Sequence, residues 1–205
     1  MKVKICGITN LKDALLAEKL GADIIGFIFA ESPRKVTEKQ ALAIIKELKP
    51  FTLKAGVFVE ADGAKINRTV KALGLDIAQV HGEVSLSSIK KIKDAKILKV
   101  IKAKDADYAA AQVKKYKGGV DCFLFDTYDP VLHGGTGRRF DSAILSGVKE
   151  PFFIAGGIKP ENVMAVIKTS APYGIDVSSG VEKSKGKKDP VKMKKLFSVI
   201  NKARW

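Results

Sequence analysis

Two residues of this 205-residue chain stand where acid/base chemistry is commonly done, at the ends of apolar strands. Cys6 follows Val3-Lys4-Ile5 and precedes Gly7-Ile8-Thr9-Asn10, after which the pattern turns helical at Leu11. A thiol so placed lies at the C-terminal mouth of a strand, the end at which α/β proteins hold their ligands. Asp126 ends a second apolar run, Cys122-Phe123-Leu124-Phe125. Taken singly, a cysteine is more often a buried structural thiol, the reading given to Cys122. Beside Gly7, loop N–H groups and a basic setting could ionise Cys6, whereas desolvation at the end of an apolar strand would keep the Asp126 carboxyl protonated. The pair predicts one acid/base site.

The elements that must bring these groups together recur about every 25 residues. Apolar runs at 2–6, 22–29, 52–59, 76–80, 96–102, 121–126, 151–155 and 172–177 read as strands. Each is followed by a helical pattern, including Leu11–Leu20, Thr37–Leu48 with Thr37 as N-cap, Pro160–Lys168 with Pro160 in the first helical position, and Asp189–Lys202. Eight βα units predict an α/β fold of the (β/α)8 barrel class, compact for that class, with residues 1–205 forming one domain. An open doubly wound sheet is the competitor, but it concentrates its glycines after the first strand. Here ionisable or glycine-rich positions follow nearly every strand: Cys6-Gly7, Arg34, His81-Gly82, Asp126, Gly156-Gly157 and Asp176 to Gly180. Only a barrel rim gathers all of them.

After the seventh strand comes Gly156-Gly157, and after the eighth Ser178-Ser179-Gly180. Side-chain-free backbone there lets several N–H groups face one anion, aided by a short helix start after the eighth strand, and barrels often bind phosphate at this pair of loops. The segment 127–140 is the longest irregular stretch. It contains His133-Gly134-Gly135-Thr136-Gly137-Arg138-Arg139-Phe140 and reads either as a flap that closes over a ligand or as a solvated loop.

Composition excludes several classes. The chain carries 37 Lys+Arg against 22 Asp+Glu, a formal charge of +15, with the excess divided evenly between its halves. The densest run, Lys183 to Lys195, holds no aromatic side chain for base stacking, so it reads as a solvated, phosphate-attracting face rather than a nucleic-acid platform. No apolar run is long enough for a membrane span, and Met1-Lys2-Val3-Lys4 does not open a signal peptide. The expected protein is cytoplasmic, with two free thiols and no metal site.

Several strings occur in order: Lys4-Ile5-Cys6-Gly7-Ile8-Thr9-Asn10, Gln79-Val80-His81-Gly82, Leu124-Phe125-Asp126-Thr127, Gly134-Gly135-Thr136-Gly137 with Phe140-Asp141, Ala155-Gly156-Gly157-Ile158, and Asp176-Val177-Ser178-Ser179-Gly180-Val181-Glu182. From residue 2 to about residue 190 the chain closely resembles the phosphoribosylanthranilate isomerases of tryptophan biosynthesis. That resemblance implies an Amadori rearrangement of N-(5-phosphoribosyl)anthranilate to 1-(2-carboxyphenylamino)-1-deoxyribulose 5-phosphate, without cofactor. It implies Asp126 as the acid and thiolate Cys6 as the base. Arg34 would face the anthranilate carboxylate and Asp176 the amine side. Gly156, Gly157, Ser179 and Gly180 would hold the phosphate. Gln79 and His81 align with family positions and either touch substrate or brace Cys6. Where the family often has Lys-Thr or Lys-Ser after the glycine run and a Trp after Phe-Asp, this chain has Arg138-Arg139 and Ser142. The partner implied is a small-molecule substrate, with neither nucleic acid nor membrane, and the chain would work as a monomer or a homodimer. The rival readings are another phosphate-binding sugar isomerase or synthase barrel, a basic nucleic-acid-binding protein, and an inactive barrel kept for assembly. Cys6, in place of the aspartate of the histidine-pathway isomerase, argues against the first.

Overall fold

Eight parallel strands, each on a largely apolar run, close into a barrel in chain order: β1 Lys2–Ile5, β2 Ile24–Ile28, β3 Leu53–Val59, β4 Ile77–His81, β5 Lys96–Lys102, β6 Cys122–Asp126, β7 Phe152–Ala155 and β8 Gly174–Val177. The computed structural model describes residues 1–59, 62–126, 142–145 and 147–203. The (β/α)8 expectation is met, and all eight predicted strands are present, β5 with its predicted bounds and the others with ends shifted by at most two residues. Closure occurs where β1 pairs with β8, in the register Lys2↔Gly174, Val3↔Ile175, Lys4↔Asp176 and Ile5↔Val177.

Alternation along the strands divides the apolar residues into two cores. Ile24, Ala55, Leu98, Val100, Leu124 and Phe153 fill the barrel interior. Their strand neighbours Ile25, Phe27, Ile97, Ile101, Phe123, Phe125 and Ile154 face outward and pack in the larger cluster with the helices. On β1, Val3 and Ile5 belong to that outer cluster. Lys4, and Cys6 just beyond the strand, therefore point inward.

The helices are α1 Leu11–Leu20, α2 Glu38–Ile45, α3 Gly63–Leu73, α4 Leu86–Ile89, α5 Ala106–Tyr116, α6 Val163–Ser170 and α7 Pro190–Ala203. Thr37 caps α2 in a reciprocal capping box with Gln40. Three helical expectations need correction. First, α2 ends at Ile45 instead of Leu48. Second, α6 begins at Val163, because Asn162 ties down the preceding turn: it accepts from Lys159 N–H at 2.8 Å and donates to the Gly157 carbonyl at 2.9 Å. Pro160 thus sits in that turn rather than in a helix, and the proline that does open a helix is Pro190, after Asp189 has capped the N–H groups of Val191 and Lys192. Third, the described residues of the sixth unit hold a 3-10 turn, Ser142–Leu145, in place of an α-helix.

After β8 comes an element that periodicity did not predict: a 3-10 turn, Ser179–Val181, runs into a small antiparallel hairpin, β9 Glu182–Ser184 and β10 Lys187–Lys188. Asp13 at the start of α1 anchors it, its Oδ2 accepting the Lys188 N–H at 2.7 Å and the Asn10 amide at 2.8 Å. Asn10 in turn caps α1 by accepting the Asp13 N–H at 3.0 Å. Asn10→Ala is expected to lower stability by about 1 kcal/mol. Urea unfolding would show this as a lower midpoint at unchanged slope, and an unmoved midpoint would show that the cap contributes nothing.

Candidate active site

The C-terminal mouth of the barrel encloses a cavity of about 350 Å³ lined by Cys6, Arg34, Gln79, His81, Asp126, Gly156, Gly157, Asp176, Ser179 and Gly180 among others. All ten residues expected from sequence line it. A wider groove of about 690 Å³ at the opposite end of the barrel is lined by Leu53, Leu75, Asp76, Lys96 and Asp121 among others. There Asp76 is paired with Lys54 and Asp121 with Lys96. Its lining has no cysteine, histidine or glycine-rich loop pair; those groups stand at the smaller cavity. Among the described residues no group of three His, Cys, Asp or Glu side chains could hold a metal ion.

Cys6 is fixed by backbone on both sides. Its N–H donates to the Val177 carbonyl at 2.9 Å, and its own carbonyl accepts from Lys188 Nζ at 2.6 Å. Gly7 adopts φ +72°, and a Cβ there would come within 2.7 Å of Arg34 Cδ, so the glycine lets the arginine lie across the chain next to the thiol. The thiol is 6% exposed. The basic setting expected from sequence is present in Lys4 and Lys188, but burial opposes it. Burial pushes the Cys6 thiol up, the Lys4 charge pulls it back, Asp176 adds to the rise, and the result stays above the ordinary thiol value. The second cysteine, Cys122, is free like Cys6, donates to the Pro151 carbonyl at 3.0 Å and is pushed by burial to about 11, in keeping with its structural reading.

Asp176, inward on β8, accepts from fully buried Lys4 through Oδ2 at 2.9 Å. Its Oδ1 is buried and has no partner among the described residues, as is true of Oε1 of Gln79. These two unmatched buried acceptors belong to residues on opposite sides of the same cavity, β8 and β4, and such groups call for ligand donors. The Gln79 amide nitrogen lies 2.9 Å from His81 Nε2. Burial first, then the charges of Lys4, Lys99 and Lys102, pull the imidazole from 6.5 down to about 4. The ring is therefore neutral, accepts from Gln79 at Nε2 and carries its proton on Nδ1. Neither side chain hydrogen-bonds Cys6 among the described residues. Both side chains line the cavity, as the reading that they touch substrate requires.

Arg34 is not a solitary surface arginine. Its Nε and Nη2 clasp Glu182 at 2.8 and 2.7 Å, and that bond raises the guanidinium above its ordinary value. Glu182 Oε1 also accepts from buried Lys188 at 3.0 Å. Burial alone would raise the Glu182 carboxyl, but Arg34 and Lys188 outweigh it and hold it below the usual range. Glu182 and Lys188 were absent from the sequence-based site. Glu182 closes the quoted Asp176–Glu182 string, and Lys188 belongs to the basic run read as solvated, though its side chain is fully buried.

Asp126 ends β6 half-buried, in register with Lys102 on one side and Ala155 on the other. The two glycine loops meet at Gly180, where an added Cβ would collide with the Ile158 carbonyl oxygen, so that position excludes a side chain. Gly156 and Gly157 have φ of +92° and +60°, which glycine adopts without strain. The helix start expected after the eighth strand is the single 3-10 turn at Ser179–Val181. The glycine-rich segment with His133, Arg138 and Arg139, read as a flap or a solvated loop, lies outside the described residues.

Comparison with known proteins gives a consistent result. The family described as "PRAI: N-(5'phosphoribosyl)anthranilate (PRA) isomerase" matches residues 3–199. A relative named N-(5'-phosphoribosyl)anthranilate isomerase, from Pelobacter propionicus, is 44% identical over 207 residues, covering 100% of this chain and 97% of its own. The crystal structure of phosphoribosyl anthranilate isomerase from Thermotoga maritima is 34% identical with a TM-score of 0.90, over 98% of this chain and 99% of that one. A second structure, of such an isomerase in complex with reduced 1-(o-carboxyphenylamino)-1-deoxyribulose 5-phosphate, is 31% identical with a TM-score of 0.87, over the same shares.

The depressed imidazole makes a stability prediction. Because the folded His81 value of about 4 lies below the unfolded 6.5, the unfolded chain takes up the proton first on acidification. The contribution of His81 is fully present above about 6.5 and is lost as pH falls toward 4. His81→Asn should flatten the loss of stability across that window, measured by urea unfolding at a series of pH values. An identical acid slope in the variant would show that His81 is solvated and titrates normally.

Proposed function

The chain belongs to the N-(5'-phosphoribosyl)anthranilate isomerase family, the aldose–ketose isomerases of tryptophan biosynthesis, and on that premise we propose that Cys6 and Asp126 carry its two proton transfers. The reaction is the Amadori rearrangement of N-(5'-phosphoribosyl)anthranilate to 1-(2-carboxyphenylamino)-1-deoxyribulose 5-phosphate. The observation that carries the assignment is the cavity itself, which has a buried thiol on one wall, a half-buried carboxyl on another, and two side-chain-free loops at the same mouth.

The substrate phosphate is held by backbone N–H groups of Gly156, Gly157, Ser179 and Gly180, on loops whose collision point at Gly180 fixes their spacing. Asp126, protonated, gives its proton to the furanose ring oxygen as the bond from that oxygen to C1′ breaks. The anthranilate nitrogen lone pair forms the C1′=N bond and leaves a cationic Schiff base. Cys6, as thiolate, takes the proton from C2′, and the released electron pair forms C1′=C2′ while neutralising the nitrogen. The enolamine gains a proton at C1′ and loses its hydroxyl proton at O2′, giving the aminoketose. Each step needs its group at a stated atom, and the barrel supplies two groups on rigid strand ends.

Arg34 presents the face left by its bond to Glu182 to the anthranilate carboxylate. The unpartnered oxygens of Asp176 on β8 and Gln79 on β4 accept from the substrate amine and ribose hydroxyls, and neutral His81 stands beside Gln79 on the β4 side. The proposed setting is the cytoplasm. No helix among the described residues is long and apolar enough to cross a membrane. Either a monomer or a homodimer would serve, since one chain supplies both proposed proton-transfer groups.

Cys6→Ser and Asp126→Asn should each lower kcat by roughly 10²- to 10⁴-fold. The assay is loss of phosphoribosylanthranilate fluorescence, and near-normal turnover in either variant would sink its assignment. Gly180→Ala should act at the phosphate end, raising KM and lowering kcat/KM by about 10²-fold through displacement of the two loops. An unchanged KM in a folded Gly180→Ala protein would remove these loops from the phosphate site.

A further inference from the structure

Lys4 has no exposed surface, an uncommon state for a lysine, and it stands inside the barrel two residues before Cys6 on the same face of its strand. Its ammonium bonds Asp176 at 2.9 Å. A Cβ on Gly26 of β2 would stand 2.9 Å from Cys6 Sγ and 3.0 Å from Lys4 Nζ, so thiol and ammonium flank the same small gap, which the glycine keeps open. Resting on the reading of Cys6 as the base, we propose that Lys4 is the positioning residue that makes the buried Cys6 thiolate attainable, acting as its counter-charge from inside the barrel.

The charges around the thiol support this. Lys4 on β1, Lys188 on β10 and Arg34 after β2 are the cations that face Cys6 or its backbone. Asp176 on β8 and Glu182 on β9 are the carboxylates paired with them. His81 on β4 is neutral, and Asp126 on β6 lines the same cavity. Three cations thus face two carboxylates among the buried ion pairs, and Cys6, once ionised, would supply the third negative charge. The charge of Lys4 is the largest of the influences that oppose burial at Cys6, ahead of Lys188. Burial pulls the Lys4 ammonium down, but Asp176 and Cys6 more than offset it, so the side chain stays charged. Asp176 has a divided role, holding Lys4 in place while opposing the thiolate.

That division gives a test with two signs. Lys4→Met alone would strand a buried carboxylate, so the variant that carries the test is Lys4→Met/Asp176→Asn, which removes both charges together. The companion is Asp176→Asn, which leaves Lys4 free for Cys6. Both are made in a Cys122→Ala background, and the single thiol is titrated in the free enzyme by its ultraviolet thiolate absorbance. The double variant should shift ionisation of Cys6 upward by about 1–3 pH units, and Asp176→Asn should shift it downward. In the double variant the acid limb of kcat/KM should move upward with the thiol, so that activity lost at neutral pH is partly recovered at higher pH. A Cys6 transition that stays in place in the folded double variant overturns the proposal and leaves Lys4 a structural partner of Asp176. A thiol that moves while the acid limb does not overturns Cys6 as the titrating base, and this role for Lys4 with it.

Discussion

The mouth of this barrel depends on a buried ion pair. Lys4 and Asp176 are register partners on β1 and β8, the two strands whose pairing closes the barrel, and both side chains point inward. Desolvating two charges is costly, and replacing such a pair with apolar groups of similar size is often neutral or stabilising. A pair in this position is therefore better understood as a device of placement than of stability. Removing one partner alone costs on the order of 3–5 kcal/mol, which ties each charge to the other. The pair fixes where a positive charge stands beneath the thiol and leaves one buried oxygen of Asp176 without a hydrogen-bond partner among the described residues.

A second network carries the same logic outward. Lys188 reaches from the hairpin after β8 to the carbonyls of Cys6 and Ser178 and to Glu182, and Glu182 clasps Arg34. The hairpin is itself held through Asp13 at the start of α1. The backbone of Cys6, the arginine beside it and the loop after β8 are thus braced against one another through groups that mostly never meet solvent. Such supporting contacts keep a catalytic constellation within the small tolerances that proton transfer demands.

Much of this was legible from the chain. Strands that are apolar on both faces announce themselves as continuous runs, and the ends of β1, β4, β6, β7 and β8 carried residues that line the cavity. What escaped is non-periodic or distant in sequence. Asn162 displaced the start of α6 through two local side-chain bonds that no hydrophobic period records. The bonds of Arg34 with Glu182 and of Lys4 with Asp176 join residues 148 and 172 positions apart. One signal was nevertheless present: a lysine at the position that alternation assigns to the barrel interior, with a cysteine two residues on. Within a strand flanked by Val3 and Ile5, that breach of the binary pattern marks a functional position more often than an error.

The order of strands also explains how one rigid frame can serve two opposed proton transfers. Around the barrel, β6 with Asp126 is followed by β7 and β8 with the glycine loops, and then by β1 with Cys6. The loops proposed to hold the phosphate therefore stand between the proposed acid and the proposed base. A sugar phosphate anchored there can present its ring oxygen to one side and its C2′ to the other without moving its phosphate. The two groups need opposite ionisation, and the frame gives them different neighbours: Asp126 stands between Lys102 of β5 and Ala155 of β7, while Cys6 lies near Lys4, Lys188 and Arg34. Separation by two strands lets each environment be set independently, because a charge that favours the thiolate from the β1 side need not lie against the Asp126 carboxyl.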